Sequence, residues 1–260
     1  MMDVQTYQDQ FVEFRPSLSS YIYRLVAHHQ NTEDIVQEAY IKAFQHLAKF
    51  RGESSFKTWV FAIATNLAKD FLKKEQRWQE DYQDRCREAT YASQEIQQTM
   101  ADIAQNSTYG QFVLREHIDY CFTCISKTLM LEEQVCVILK EVYAFKVREI
   151  EVIMELSEGQ VKYGLANARA RLRHIFDNRC SLINKNGACH QCSELNGMFN
   201  PKQVFAVEAN KVEMVKAQDK ANHEQLLNLR LQLIQSIDPI NAQGFDLHNY
   251  MLENMPHHVK

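Results

Sequence analysis

Residues 31–77 read NTEDIVQEAYIKAFQHLAKFRGESSFKTWVFAIATNLAKDFLKKEQR, and their patterning decides the fold. Ile35, Val36, Ala39, Tyr40, Ala43, Phe44 and Leu47 recur at the spacing of one helix face, from about Thr32 to Leu47. Asn31 or Thr32 is placed to cap its start, and Glu33 and Asp34 suit the positive end of the helix dipole. The Phe50–Ser55 loop follows, where Gly52 supplies backbone freedom. A further helix begins at Phe56 and carries Trp59, Val60, Ile63, Ala64, Leu67 and Phe71 on one side. Upstream, Phe11, Phe14, Leu18, Ile22, Leu25 and Val26 keep helical spacing over residues 7–29, interrupted near Pro16. Three such helices can share one core.

The rest of the chain extends the same pattern. With 7 Gly and 4 Pro in 260 residues and almost no strand-type alternation, the sequence predicts an all-α protein of about two domains. Residues 78–110 are polar and acidic, with few apolar anchors, and read as a linker of partial helicity. Helical periodicity resumes with Phe112, Leu114, Ile118, Phe122, Ile125, Val135, Ile138, Leu139 and Val142. KVREIEVIMELSEGQVKYGLANARARLR, residues 146–173, then has the apolar grid of a helix-turn-helix. Beyond residue 180 the composition turns loop-like, and a helical pattern returns from about Val204 to Ile237.

Net charge is −4 overall, yet it is unevenly spread: residues 42–77 sum to +5 and residues 158–179 to +3. Positive charge therefore gathers in the two segments that pattern also singles out, which suits contact with nucleic acid at two places. The start, MMDVQTYQDQF, has no basic region leading into an apolar run, and no apolar stretch is long enough to span a membrane. Seven cysteines, an odd number, with no export signal predict reduced thiols in the cytoplasm.

In the helix-turn-helix, Ser157 with Gln160 makes a capping box that starts the second helix. Its first-turn residues Glu158, Gln160, Lys162 and Tyr163 are where such a helix meets base edges in the major groove. Arg169, Arg171 and Arg173 continue along it, able to neutralise phosphates. An ordinary helical hairpin with a charged outer face is the alternative. In the first half, Arg51, Lys57, Lys69, Lys73, Lys74 and Arg77 mingle with Ser54, Ser55, Thr58 and Asn66. Cations for phosphates beside amides and hydroxyls for splayed bases suit single-stranded DNA. Trp59 falls on the apolar side, where an aromatic at helical spacing is more often core than stacking platform.

The segments EDIVQEAYIKAF, FRGESSFKTWVFAIATNLAKDFLKK and SEGQVKYGLANARARLR resemble regions 2 and 4 of the extracytoplasmic-function (ECF) sigma factors, over residues 7–77 and 112–176. The resemblance implies a region 2-like domain at 1–77, an acidic linker at 78–110, a region 4-like domain at 111–179 and a C-terminal extension at 180–260. It implies that Asp34, Gln37 and Glu38 hold core RNA polymerase. It assigns Arg51, Ser54, Ser55, Lys57, Thr58, Asn66, Lys69, Lys73 and Lys74 to the −10 element. Ser157, Glu158, Gln160, Lys162, Tyr163, Arg169, Arg171 and Arg173 fall to the −35 element. Core polymerase and promoter DNA are then the partners, with an anti-sigma factor a further one. The chain departs from the family pattern at Glu151, where a small residue is usual, at Glu155, where Gly is usual, and at Gly164, where Arg is common.

Cys180, Cys189, His190 and Cys192 make a C-x8-C-H-x-C cluster that can supply three thiolates and an imidazole, the ligand set zinc prefers. His174 is an equal candidate for fourth ligand, and a redox pair or plain thiols suit the same residues. Cys121 and Cys124 read as small buried core residues. No phosphate-cradling loop, nucleophile motif or acid–base carboxylate pair is present, so the expected function is binding without catalysis and without a required cofactor, a structural zinc aside. A sigma factor directing promoter-specific initiation is the primary reading. A helix-turn-helix repressor with a metal- or redox-sensing C-terminal domain is the alternative; a thiol oxidoreductase lacks any βαβ pattern.

Overall fold

The computed structural model describes residues 4–254. Fourteen α-helices, a 3-10 turn at Leu47–Lys49 and a π-helical turn at Ile138–Val142 account for the regular structure of the described residues, among which the sole strand-like pairing is an isolated bridge between Cys180 and Cys189. The all-α expectation holds. The chain divides into two compact units: Met1–Gln76 with Met130–Ala168, and Arg77–Leu129 with Arg169–Lys260.

The first unit is built on α1 (Val4–Val26), α2 (His29–Gln45) and α3 (Phe56–Leu72). Helix α1 runs through Pro16 without breaking. The proline lacks the N–H that would bond back to Val12, but Val12 is exposed, so water can serve that carbonyl. Ala27 takes a left-handed conformation (φ 57°) that ends α1, and α2 begins two residues later. The start of α2 therefore precedes the expected one. His28 caps it through a side chain that accepts from the Asn31 N–H at 3.4 Å, and Thr32 is buried, donating to the His28 carbonyl.

On α3 the buried face is Phe56, Val60, Phe61, Ala64, Ala68 and Leu72, rotated from the expected stripe; Trp59, Ile63, Leu67 and Phe71 are half-buried. The rotation follows from a second partner. Helix α8 (Val147–Met154) packs on α3 as well, and Phe145 meets the Phe61 ring with centroids 4.9 Å apart. The same unit contains α7 (Leu131–Val137), a π-helical turn at Ile138–Val142 and the first half of α9 (Glu158–Arg179).

In the second unit the segment expected to be a linker forms α4 (Tyr82–Ala92) and α5 (Gln94–Asn106). Trp78, Tyr82 and Met100 are buried, and these sparse apolar anchors suffice to hold it in a core. The break after Gln76 lies within one residue of the expected one at 77, whereas the other unit boundaries fall after Leu129 and Ala168 instead of at 110 and 179. Helix α6 (Leu114–Ser126) lies in this unit with α10 (Gln191–Phe199), α11 (Phe205–Ala209), α12 (Glu213–Ala217), α13 (His223–Gln235) and α14 (Phe245–Glu253). Leu114, Ile118, Leu182, Val212, Met214 and Leu226 form one of its cores. Met100, Phe112, Leu195 and Leu247 form another.

Candidate nucleic-acid and polymerase interfaces

Asp34, Gln37 and Glu38 lie on the side of α2 opposite its buried Ile35, Val36 and Ala39, and all three are exposed. Their charges are lightly held: Gln30 donates to Asp34 at 3.0 Å, and Lys42 pairs with Glu38 at 2.8 Å in water-exposed geometry. Beside them α1 and α2 border a groove lined by Phe11, Val12, Arg15, Glu33, Val36 and Tyr40. An exposed acidic and amide edge beside an apolar groove suits docking against a basic helical partner.

The loop before α3 is shaped by Gly52, whose φ of +74° is the left-handed conformation expected there. Ser55 caps α3 by accepting from the Thr58 N–H at 3.0 Å. Lys49, Phe50, Arg51, Ser54, Trp59 and Val152 line a cavity at this end of the helix. Trp59 stacks on Phe50, centroids 5.1 Å apart, and is half-buried with its edge on that cavity; it serves core and surface together. Lys57 lies over the rings of Phe61 and Phe145 at 5.6 and 5.3 Å. Asn66, Lys73 and Lys74 are exposed farther along, and Lys69 is half-buried. Lys73 bonds Asp70 and holds that carboxyl below its ordinary value. A rise of 1.5 Å per residue puts Lys73 roughly 24 Å from Lys57, so the candidates form a strip rather than one pocket. Thr58 differs from the rest: it is fully buried and donates to Glu149 on α8 at 3.2 Å.

In the helix-turn-helix, Glu155 ends α8 in the left-handed conformation (φ 55°), where the family pattern has Gly. The capping box is formed: the Ser157 N–H donates to Gln160 Oε1 at 2.9 Å, and the Gln160 N–H to Ser157 Oγ at 3.4 Å. Glu158, Gln160, Lys162 and Tyr163 are exposed, Tyr163 at 71%, with Lys162 paired to Glu158 at 2.6 Å. The first turn is thus open to a groove.

The three arginines, all in the second unit, are engaged. Arg169 donates to Glu224 through Nε at 3.1 Å and also to Asn228. Arg173 reaches the same carboxylate at 3.1 Å, and these bonds, Arg169's first, lower the Glu224 carboxyl below its ordinary value. Arg171 donates to the Thr128 carbonyl at 3.3 Å and faces Glu80 at 3.7 Å. No local pattern pointed to Glu224, fifty-five residues from Arg169.

Cys180 and Cys189 are bridge partners, and Cys192 sits in the first turn of α10. His190 precedes that helix as its N-cap and is exposed; His174 is exposed and bonded to Asn178. Cys124 is buried, while Cys121 is half-buried and its Sγ accepts from the Gln83 side-chain amide at 3.4 Å. Burial pushes the Cys121, Cys189 and Cys192 thiols above their ordinary value. Among the described residues no three His, Cys, Asp or Glu side chains stand at metal-ligand spacing.

Comparison with known proteins matches residues 11–78 to Sigma-70 region 2. The RNA polymerase sigma-H factor of Pseudomonas aeruginosa is 27% identical over 158 residues, which cover 61% of this chain and 79% of that protein. The ECF RNA polymerase sigma-E factor of Escherichia coli K12 is 28% identical over 158 residues, 61% of this chain and 80% of the relative. Among solved structures, the sigma factor RpoE of Bartonella quintana, in complex with the anti-sigma factor NepR, aligns with a TM-score of 0.45 and 20% identity, covering 66% of this chain and 98% of that one. Among the described residues no helix is long and apolar enough to cross a membrane. The Sigma-70 region 2 match does not favour the repressor alternative. Residues 11–78 thus carry Sigma-70 region 2, and over 61% of its length the chain resembles RNA polymerase sigma factors, an ECF sigma-E factor among them.

Proposed function

We propose that the chain is a sigma factor of the ECF type that directs transcription initiation, and that it docks on core RNA polymerase through Asp34, Gln37 and Glu38. The Arg51–Lys74 strip then holds the melted −10 strand, and the first turn of α9 reads the −35 element. The observation that carries the reading is exposure: the acidic edge of α2, the Arg51–Ser54 loop and the Glu158–Tyr163 turn are open, although each adjoins a buried face. Arg169, Arg171 and Arg173 join the phosphate contacts when Glu224 and Glu80 release them. The chain acts by binding, in the cytoplasm, while polymerisation belongs to its partner. An anti-sigma factor, the kind of partner bound by the Bartonella quintana protein, completes the set.

In vitro transcription with core polymerase and a promoter library tests this directly. Promoter-selective transcripts support it; their absence with well-folded protein removes it. Within that assay Lys162→Ala should weaken −35 duplex binding and reduce its salt dependence by about one ion. Ser54→Ala with Asn66→Ala should instead impair strand opening, read by permanganate, with −35 affinity unchanged.

A further inference from the structure

We propose that Cys180 is a peroxide-reactive thiol in the second unit, with Cys189 as the partner that closes a disulfide on it and Arg230 as the cation beside its sulfur. The backbone already holds the two cysteines together. Beyond the end of α9 the chain turns back: the Cys189 N–H donates to the Arg179 carbonyl at 2.8 Å, and the Ser181 N–H to the Cys189 carbonyl at 3.2 Å. Those two bonds make Cys180 and Cys189 partners in a parallel bridge. Gly187 permits the turn, since a Cβ there would lie 2.8 Å from both the Arg179 oxygen and the Cys180 carbonyl carbon. Residues paired across a parallel bridge project from the same face, with Cα atoms roughly 4.8 Å apart. A disulfide accepts Cα separations of about 4.4–6.8 Å, so side-chain rotation alone can bring these sulfurs together.

The second observation is a cation on one of the two sulfurs. Arg230, on α13, is 2% exposed. Its Nη2 donates to Cys180 Sγ at 3.2 Å and its guanidinium lies 3.6 Å over the Phe176 ring. Among the described residues no carboxylate pairs with it. A buried guanidinium without an anion is strongly unfavourable, and an anionic sulfur on Cys180 is the counter-charge in reach. The thiolate is the form that attacks peroxides, and a cation in hydrogen-bonding contact sustains it. Burial pushes the Cys189 thiol above its ordinary value, which suits the thiol that acts second. Both cysteines are half-buried, so a small hydroperoxide can reach the pair, whereas Cys124 and Cys136 are buried.

The steps balance with a hydroperoxide as the oxidant. The Cys180 thiolate attacks its terminal oxygen, and the S–O bond forms as the O–O bond breaks. The departing oxygen takes the proton that the thiol gave up and leaves as water or an alcohol. Sulfur is oxidised by two electrons to a sulfenic acid, and the peroxide is reduced by two. The Cys189 sulfur then attacks Cys180, forming S–S and breaking S–O, and the hydroxyl leaves as water with the Cys189 proton. Cys192 sits in the first turn of α10 and packs with Cys180 against the same core, but the backbone pairing of Cys180 falls to Cys189 instead.

The test is thiol mapping on the full chain, first reduced and then treated with a small excess of hydrogen peroxide. Two thiols per chain should be lost to one Cys180–Cys189 disulfide, found by mass spectrometry and reversed by dithiothreitol. Cys189→Ser should stop at a sulfenic acid that dimedone traps on Cys180. Arg230→Met should slow the oxidation about tenfold, and Arg230→Lys should restore most of the rate, because the effect is one of charge and not of packing. Wild-type protein that keeps all its thiols overturns the proposal without recourse to any variant. So does a disulfide from Cys180 to Cys192, dimedone on a cysteine other than Cys180, or oxidation of Arg230→Met at the wild-type rate. The wild-type map decides the matter even where a variant fails to fold.

Discussion

Thr58 and Glu149, ninety-one residues apart in sequence, share a hydrogen bond of 3.2 Å that joins the first turn of α3 to α8. Glu149 serves twice, because its other oxygen accepts the Lys146 N–H at 2.9 Å and so caps α8. Thr58 serves twice as well, sharing its hydroxyl with Ser55 at 2.8 Å. One carboxylate therefore ties together the starts of α3 and α8. Thr58→Val and Glu149→Gln should each cost about 1 kcal/mol of stability. A double-mutant cycle by urea unfolding should return a coupling of at least ~0.5 kcal/mol. Strict additivity would show that the contact carries no energy.

The exposure of Asp34, Gln37 and Glu38 sets a second expectation. Replacing all three with Ala removes no buried contact, so the urea midpoint should move by less than about 0.5 kcal/mol equivalent. Core polymerase should nonetheless be lost in a pull-down. Full retention of polymerase by the folded triple variant would relocate the docking face.

His117 and His248 form a buried pair, Nδ1 to Nε2 at 3.3 Å, with Tyr120 stacked on both rings. One ring donates and the other accepts, so protonating the accepting nitrogen breaks the pair, and burial opposes a charge on either ring. Burial holds His117 down at about 3 and, with His117 beside it, keeps His248 well below its ordinary value. Both folded-state values are depressed, so below about 6.5 the unfolded chain takes up protons that the folded chain refuses. Stability is therefore intact above pH 6.5 and falls as the pH drops toward His117's folded value. Between pH 6.5 and 5 the urea midpoint of the second unit should decline. In the double variant His117→Phe with His248→Phe that decline should be much shallower; an unchanged slope would assign it to other groups.

The sequence was most legible where periodicity and local chemistry agree. Helices α2 and α3, the Gly52 loop and the Ser157–Gln160 box lie where pattern put them because each depends on neighbours within about four residues. What escaped depends on distance. Trp59's half-burial follows from α8, and the pairing of Arg169 and Arg173 follows from Glu224, which no local spacing links to them. Trp78, Tyr82 and Met100 were too sparse to signal a core, yet each is buried. The apolar neighbours of Cys121 suggest an interior residue, and the bond its sulfur accepts from Gln83, thirty-eight residues away, emerges only from tertiary structure.

Glu155 offers a test that needs no partner. It holds φ at 55° in the turn between α8 and α9, a conformation that costs a side-chain-bearing residue roughly 1 kcal/mol and costs glycine nothing sterically. Its side chain is exposed and its N–H closes α8 on the Glu151 carbonyl, a bond that any residue keeps. Glycine is also looser in the unfolded chain, which offsets part of the gain. The net expectation for Glu155→Gly is a stabilisation of about 0.5 kcal/mol, read as a higher urea midpoint with the slope unchanged. Glu155→Ala keeps the strain and should give no gain. Equal midpoints for the two variants would mean that the left-handed turn is relaxed in solution, and that the Glu at this position carries no strain for glycine to relieve.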